Sequence, residues 1–225
     1  RCSSRQYNEP PSQYSAALDR TSQVWILPII AYEKGKDMTL LIAGIALWSV
    51  THLFPAAAPG ARDNLSKKLG ENPYRGVFSL LILAALLMIV FGWKSAIPSS
   101  HYTPRMGPGI VPSVLVLFGL IFFFASQTGG HIKRLIRHPQ MTGVLFWSTA
   151  HLLANGDSRS VSLFGGFAVW ALLEIILINR REGPRVERPA ASFSQDIVTL
   201  LTGGVVFALL GHFHLQLFGV PVVPA

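Results

Sequence analysis

"VFSLLILAALLMIVFGWKSAI", Val77–Ile97, is 21 residues long and carries one charged side chain, Lys94. A helix needs about 20 apolar residues to cross the ~30 Å hydrocarbon core of a bilayer. This run reads as such a helix, and the rest of the chain repeats the pattern. Half of the residues are apolar, 13% are charged and the mean hydropathy is +0.42. A soluble domain carries about a quarter charged residues. The fold class that follows is an all-α polytopic membrane bundle.

Six apolar segments are predicted, over 39–58, 77–97, 108–125, 139–155, 161–179 and 197–218. The fourth is short and carries His151 and Asn155. Basic residues collect in alternate loops. Arg62, Lys67, Lys68 and Arg75 lie in loop one, Lys133, Arg134 and Arg137 in loop three, and Arg180, Arg181, Arg185 and Arg188 in loop five. Loops two and four hold only Lys94, Arg105 and Arg159. The positive-inside rule then turns loops one, three and five to the cytoplasm, in an inner (cytoplasmic) membrane. The formal charge of +8 is therefore topology information. The basic residues are spread over loops with no aromatic platform among them, so no nucleic-acid partner is expected. Membrane lipid is.

Residues 1–37 break the pattern. They are polar, and their apolar piece "VWILPIIAY" (24–32) is too short to span and contains Pro28. The expectation is that Met38 is the natural start, with 1–37 an extension and 38–225 the membrane domain. The single cysteine, Cys2, excludes an internal disulfide, a covalent CxxCH haem attachment and a cysteine-rich zinc site.

Ionisable groups within a bilayer cost several kcal/mol and invite a functional explanation. His52 lies in "LWSVTHLF", His151 in "WSTAHLLANGD", and His212 and His214 in "LLGHFHLQLFG". Glu174 reads as a snorkelling partner of Arg180 or Arg181. His138 and His151 stand about 20 Å apart along one helix and about 140° around it, so they cannot share a metal. Trp147, His151 and Asn155 form one stripe at four-residue spacing, able to face a common cofactor. His138, before Pro139, sits at the start of its helix, where contact with an anion is natural. A partner for His151 must come from another helix. His52 lies within about 10 Å of its depth by helix rise, and His212 matches it as well. Neutral imidazoles from two helices suit a non-covalent b-type haem. The glycine pairs 165–166 and 203–204 read as close helix-packing sites, and Asp157 as a helix cap.

From Met38 onward the chain resembles the NnrU family of integral membrane proteins. The resemblance rests on "RHPQMTGVLFWSTAHLLANGD" (137–157), "NPYRGVFSLL" (72–81) and "THLF" (51–54). The 15-cis-zeta-carotene isomerases belong to the same family and share the R-H-P-Q-M…A-H pattern. That resemblance implies a haem b held between His52 and His151, with His138 in the motif but not on the iron. A further histidine of the isomerases has no counterpart; Trp93 and Lys94 stand in its place. The implied function is either cis–trans isomerisation of a carotenoid polyene or a part in denitrification and nitric oxide metabolism. "RHPQMTG" also resembles the R-H-P-x-x-x-G turn of membrane methyltransferases. There Arg137, His138, Gly143 and Glu182 would hold S-adenosylmethionine, with Pro139 completing the cytoplasmic-face motif. A third alternative is a non-catalytic assembly factor for a membrane oxidoreductase.

Overall fold

The computed structural model describes residues 38–184, 191–220 and 222. The expectation about 1–37 lies outside them, as do Arg185 and Arg188 of loop five. The chain is an all-helical membrane bundle. The eight described helices are α1 Thr39–Ala57, α2 Pro59–Leu69, α3 Glu71–Ser95, α4 Ile110–Ala125, α5 His131–Leu135, α6 Pro139–Ala154, α7 Ser158–Glu182 and α8 Phe193–Phe218. Among the described residues the sole β-type pairing is one isolated bridge, Ser100 to Asp157.

Six of these helices match the six apolar segments. Helices α1, α3, α7 and α8 are long and apolar enough to cross a membrane, and α4 is a shorter apolar helix. Helices α4 and α6 have 16 residues each, about 24 Å of helix. The two short helices pack on one another. Two additional helices lie in the basic loops. Helix α2 buries none of its residues, and α5 is a single turn before the R-H-P motif. They escape a hydropathy reading because neither is apolar. Local chemistry sets the boundaries: Pro59 and Pro139 open α2 and α6, where a missing N–H costs nothing. Gly70, at φ +87°, turns the chain from α2 into α3.

Each neighbouring pair shares a face, giving the lateral order α3, α1, α7, α6, α4, α8. Helix α7 therefore stands between α1 and α6. Glycines allow the closest approaches. A Cβ on Gly44 would lie 2.8 Å from the Ile89 nitrogen, and one on Gly92 would collide with the Leu41 backbone. A Cβ on Gly143 would lie 2.5 Å from the Gly119 carbonyl oxygen. Of the glycine pairs noted in the sequence, one member of each packs, Gly166 on Ile45 and Gly203 on Ile121, while Gly165 and Gly204 face open space. The buried core is small, centred on Leu41, Ile45 and Ile89. Large apolar side chains such as Leu80, Phe91, Leu201 and Val205 point outward and are more than half exposed. An apolar outer surface of this kind is what a lipid environment accepts.

Polar bonds close both ends. At one end Arg181 donates to the Pro55 carbonyl (3.4 Å), Arg137 to the Gly183 carbonyl (2.7 Å), and Asp196 accepts from the His131 and Ile132 N–H groups (3.0 and 3.1 Å). This end gathers loops one, three and five, the basic set. At the other end Ser158 N–H donates to the Ser99 carbonyl (2.8 Å) and His101 N–H to the Gly156 carbonyl (2.9 Å).

Candidate functional site

Two histidines occupy equivalent stations on two helices. His52 Nδ1 lies 3.0 Å from the Trp48 carbonyl oxygen in α1, and His151 Nδ1 lies 2.9 Å from the Trp147 carbonyl oxygen in α6. A carbonyl can only accept, so each Nδ1 carries the proton and each Nε2 keeps its lone pair. An imidazole held this way is oriented as a metal ligand requires, with its second nitrogen tied to a backbone oxygen. Both side chains are half-buried.

The equivalence is written in the sequence as an internal repeat that helix-by-helix inspection misses. "GIALWSVTHL" (44–53) and "GVLFWSTAHL" (143–152) share glycine, tryptophan, serine, histidine and leucine at matching positions. Each residue of the repeat has a structural job. The glycine lets a second helix approach, α3 at Gly44 and α4 at Gly143. One turn later the tryptophan supplies the anchoring carbonyl, and one further turn places the histidine. Helix α1 ends at the basic end and α6 begins there, so the repeats run in opposite senses. His52 therefore lies near the basic end and His151 near the other.

Helix α7 fills the space between them with Phe164, Phe167 and Trp170, a stripe at three-residue spacing. Phe164 stacks on His151 with ring centroids 4.2 Å apart. Phe167 meets both tryptophans, Trp48 at 5.5 Å and Trp147 at 5.8 Å. Trp170 stands edge-on to His52 at 5.2 Å, while Trp48 stacks on His52 at 4.3 Å. Phe164 and Trp170 are six residues apart, about 9 Å along α7. That offset agrees with the depth difference expected from helix rise.

The donor chemistry of the two stations is compatible with the haem b expected between His52 and His151: each Nδ1 is tied to a backbone carbonyl, leaving Nε2 for a metal, within an aromatic surround that also holds unused polar atoms. The indole N–H groups of Trp48 and Trp170, the Ser148 hydroxyl and a Glu174 oxygen are buried without a hydrogen-bond partner. Buried polar atoms are nearly always paired, so unpaired ones point to a missing neighbour. For one iron to take both histidines, the α7 rings must part.

The remaining predicted residues have structural surroundings. His138 Nε2 donates to the Asn179 side-chain oxygen (2.8 Å), and Arg137 lies 3.9 Å from Glu182. The R-H-P motif thereby ties the start of α6 to the end of α7, with Pro139 opening α6 and Gly143 pressed against α4. The residues named for S-adenosylmethionine are engaged in these joints. Asn155 turns its amide back to the His151 carbonyl (3.0 Å), and the Tyr102 hydroxyl donates to the Leu152 and Asn155 carbonyls. Asp157 caps α7, as expected, accepting from the Arg159 and Ser160 N–H groups. Burial pushes its carboxyl up, but the Ser160 hydroxyl, these N–H groups and the Arg159 charge hold it below the ordinary value. Trp93 packs edge-on to Phe164 beneath the Arg159 guanidinium, 4.9 Å away.

His212 is exposed, its ring against Phe213. His214 Nδ1 lies 2.7 Å from the Val220 carbonyl oxygen, with its ring against Phe218. Glu174 forms no ion pair with Arg180 or Arg181 among the described residues, contrary to expectation. The Arg181 guanidinium is drawn instead to the Pro55 carbonyl and to Glu182 (3.1 Å).

A family model described as NnrU protein matches residues 40–222. No curated protein and no solved structure matches the chain.

Proposed function

The chain belongs to the NnrU family, and from that premise we propose that it is a membrane protein that binds haem b through Nε2 of His52 and His151. The observation that carries the proposal is the doubled station. Two imidazoles on different helices, both anchored at Nδ1 to the carbonyl four residues earlier, present equivalent lone pairs toward the space around α7. With Cys2 the only cysteine, the group is held without thioether bonds. A haem held by His52 and His151 would supply an iron able to bind nitric oxide or to polarise a polyene. The protein side of the chemistry is exclusion of water by the apolar helices, orientation of each imidazole by its backbone bond, and aromatic walls from α7. Two roles share this site: handling of nitrogen oxides, and cis–trans isomerisation of a carotenoid polyene, which needs no net electrons. We place the protein in the cytoplasmic membrane, with the basic end facing the cytoplasm.

The test is the optical spectrum of the full chain purified from haem-replete cells. A Soret band is expected, weakened or shifted in both His52→Ala and His151→Ala. A colourless wild-type protein overturns the proposal. Consumption of nitric oxide or of a cis-carotene by the reduced protein then separates the two roles.

A further inference from the structure

The basic end contains a cavity of about 630 Å³ that the haem reading leaves unused. It lies where α1 ends, between α2, the first turns of α3 and the last turn of α7. Its polar wall is Arg62, Arg75 and Arg181, facing one carboxylate, Asp63; its inner wall includes Phe78. Phe78 is edge-on to His52 at 5.8 Å, so the cavity sits directly outside the first station. Its volume is that of a small-molecule site.

Three guanidiniums in one cavity at the end of a membrane helix call for an anion. Each already touches a carboxylate: Arg62 with Asp63 (2.9 Å), Arg75 with Glu71 (2.5 Å) and Arg181 with Glu182 (3.1 Å). A guanidinium has five N–H donors in a planar fork, so one such contact leaves others free, and all three side chains are more than a third exposed. The Tyr74 hydroxyl adds a fourth donor. Its oxygen is buried and faces the Arg62 guanidinium, which lies over the Tyr74 ring at 5.8 Å, while its own O–H has no acceptor. Planar forks and a hydroxyl on a shared opening match the oxygens of a phosphate.

The geometry points to a binding site for the phosphate of an anionic membrane phospholipid. The cavity opens at the level where α1 leaves the apolar zone, which is where headgroups lie. The adjoining outer face of α3 carries exposed Val77 and Leu80, suited to acyl chains. Basic pockets between transmembrane helices take anionic headgroups for these reasons. The inference stands apart from the haem proposal, since it is read from bound lipid and not from colour.

The experiment is native mass spectrometry of the full chain from nanodiscs of equal phosphatidylglycerol and phosphatidylcholine with matched acyl chains. Enrichment of phosphatidylglycerol is expected in the retained lipid, falling to the ratio of the mixture in the R62Q/R75Q/R181Q variant. If that variant does not fold, Tyr74→Phe serves. It should lower the phosphatidylglycerol retained per protein by up to roughly tenfold, the scale of one hydrogen bond to a charged group. A parallel arm measures the melting temperature with inorganic phosphate. Stabilisation of wild type but not of the variants, without lipid enrichment, supports the phosphate site and assigns it to a soluble ligand. Absence of both effects in wild type, or an enrichment unchanged in the variants, overturns the inference.

Discussion

The His52 and His151 stations begin from the same ten-residue pattern and end under different covers. Locally they are twins, each with a packing glycine, a tryptophan carbonyl and a histidine Nδ1 bonded to it within 3.0 Å. Beyond the helix they diverge. His52 lies beneath an arginine-walled cavity, separated from it by Phe78. His151 lies beneath a clasp in which Tyr102, Asn155 and Gly156 bond loop two to the end of α6. One station is neighboured by a cavity lined with charge, and the other by backbone bonds that fasten the end of α6. The contrast teaches that orientation of the imidazole is a four-residue property of the chain, whereas access to it is tertiary.

The largest test of this separation acts on the packing glycines. Gly143→Leu forces side-chain atoms into the α4 backbone, where a single Cβ would already be 2.5 Å from Gly119 O. The expected loss is about 3 kcal/mol, the upper range of overpacking, read as a drop in melting temperature in detergent. Gly204→Leu, which meets nothing within 4 Å, should leave the melt unchanged. Equal melts for the two variants would break the assignment of α4–α6 contact to that glycine. Next in size is Phe167→Ala, which removes the ring between Trp48 and Trp147. Under joint ligation of one iron it should raise the fraction of protein that takes up haem on reconstitution. If the stations act separately, titration with haem shows no change.

Much of this fold was legible because a lipid environment leaves few options. Runs of about 20 apolar residues become helices, and all six predicted segments appear as helices, the largest boundary difference being the start of α3 at Glu71 and not at 77. Loop helices α2 and α5 were not legible, since neither has an apolar run. For the site, the histidines and the Trp147 stripe stood out as polar groups in apolar surroundings. The α7 wall did not. Phe164, Phe167 and Trp170 look like ordinary membrane residues until the lateral order places α7 between α1 and α6. Asn179 was likewise hidden, because its bond to His138 spans 41 residues. Glu174 shows the opposite error: an arginine nearby in sequence found a closer carbonyl on α1.

A smaller effect is expected at the clasp. Asp157→Ala removes the cap of α7 and should cost about 1 kcal/mol. Because the folded carboxyl is held below its ordinary value, its contribution is fully present above the unfolded pKa of about 3.9 and is lost as pH falls through the lower folded value. Asp157→Asn still caps but cannot titrate, so its acid unfolding curve should lack this component. An identical acid dependence in wild type and Asp157→Asn would place the titration elsewhere.

The smallest effects lie in the serines at matching positions of the two repeats. Ser49 Oγ donates to the Ile45 carbonyl at 2.8 Å, while Ser148 is fully buried and its hydroxyl has no partner. Ser49→Ala should therefore cost up to about 0.5 kcal/mol, since that carbonyl keeps its helical bond. Ser148→Ala should raise the stability of the ligand-free protein by about 1 kcal/mol, because a buried hydroxyl without a partner carries its desolvation cost unrelieved. Melting of both variants with and without added haem gives the decisive comparison. If the Ser148 hydroxyl meets a polar group that enters with haem, the stabilisation should vanish or reverse in the loaded protein, while Ser49→Ala behaves alike in both states. Equal shifts in both states would mean that nothing entering with haem reaches the hydroxyl, and that Ser148 takes no part in the site.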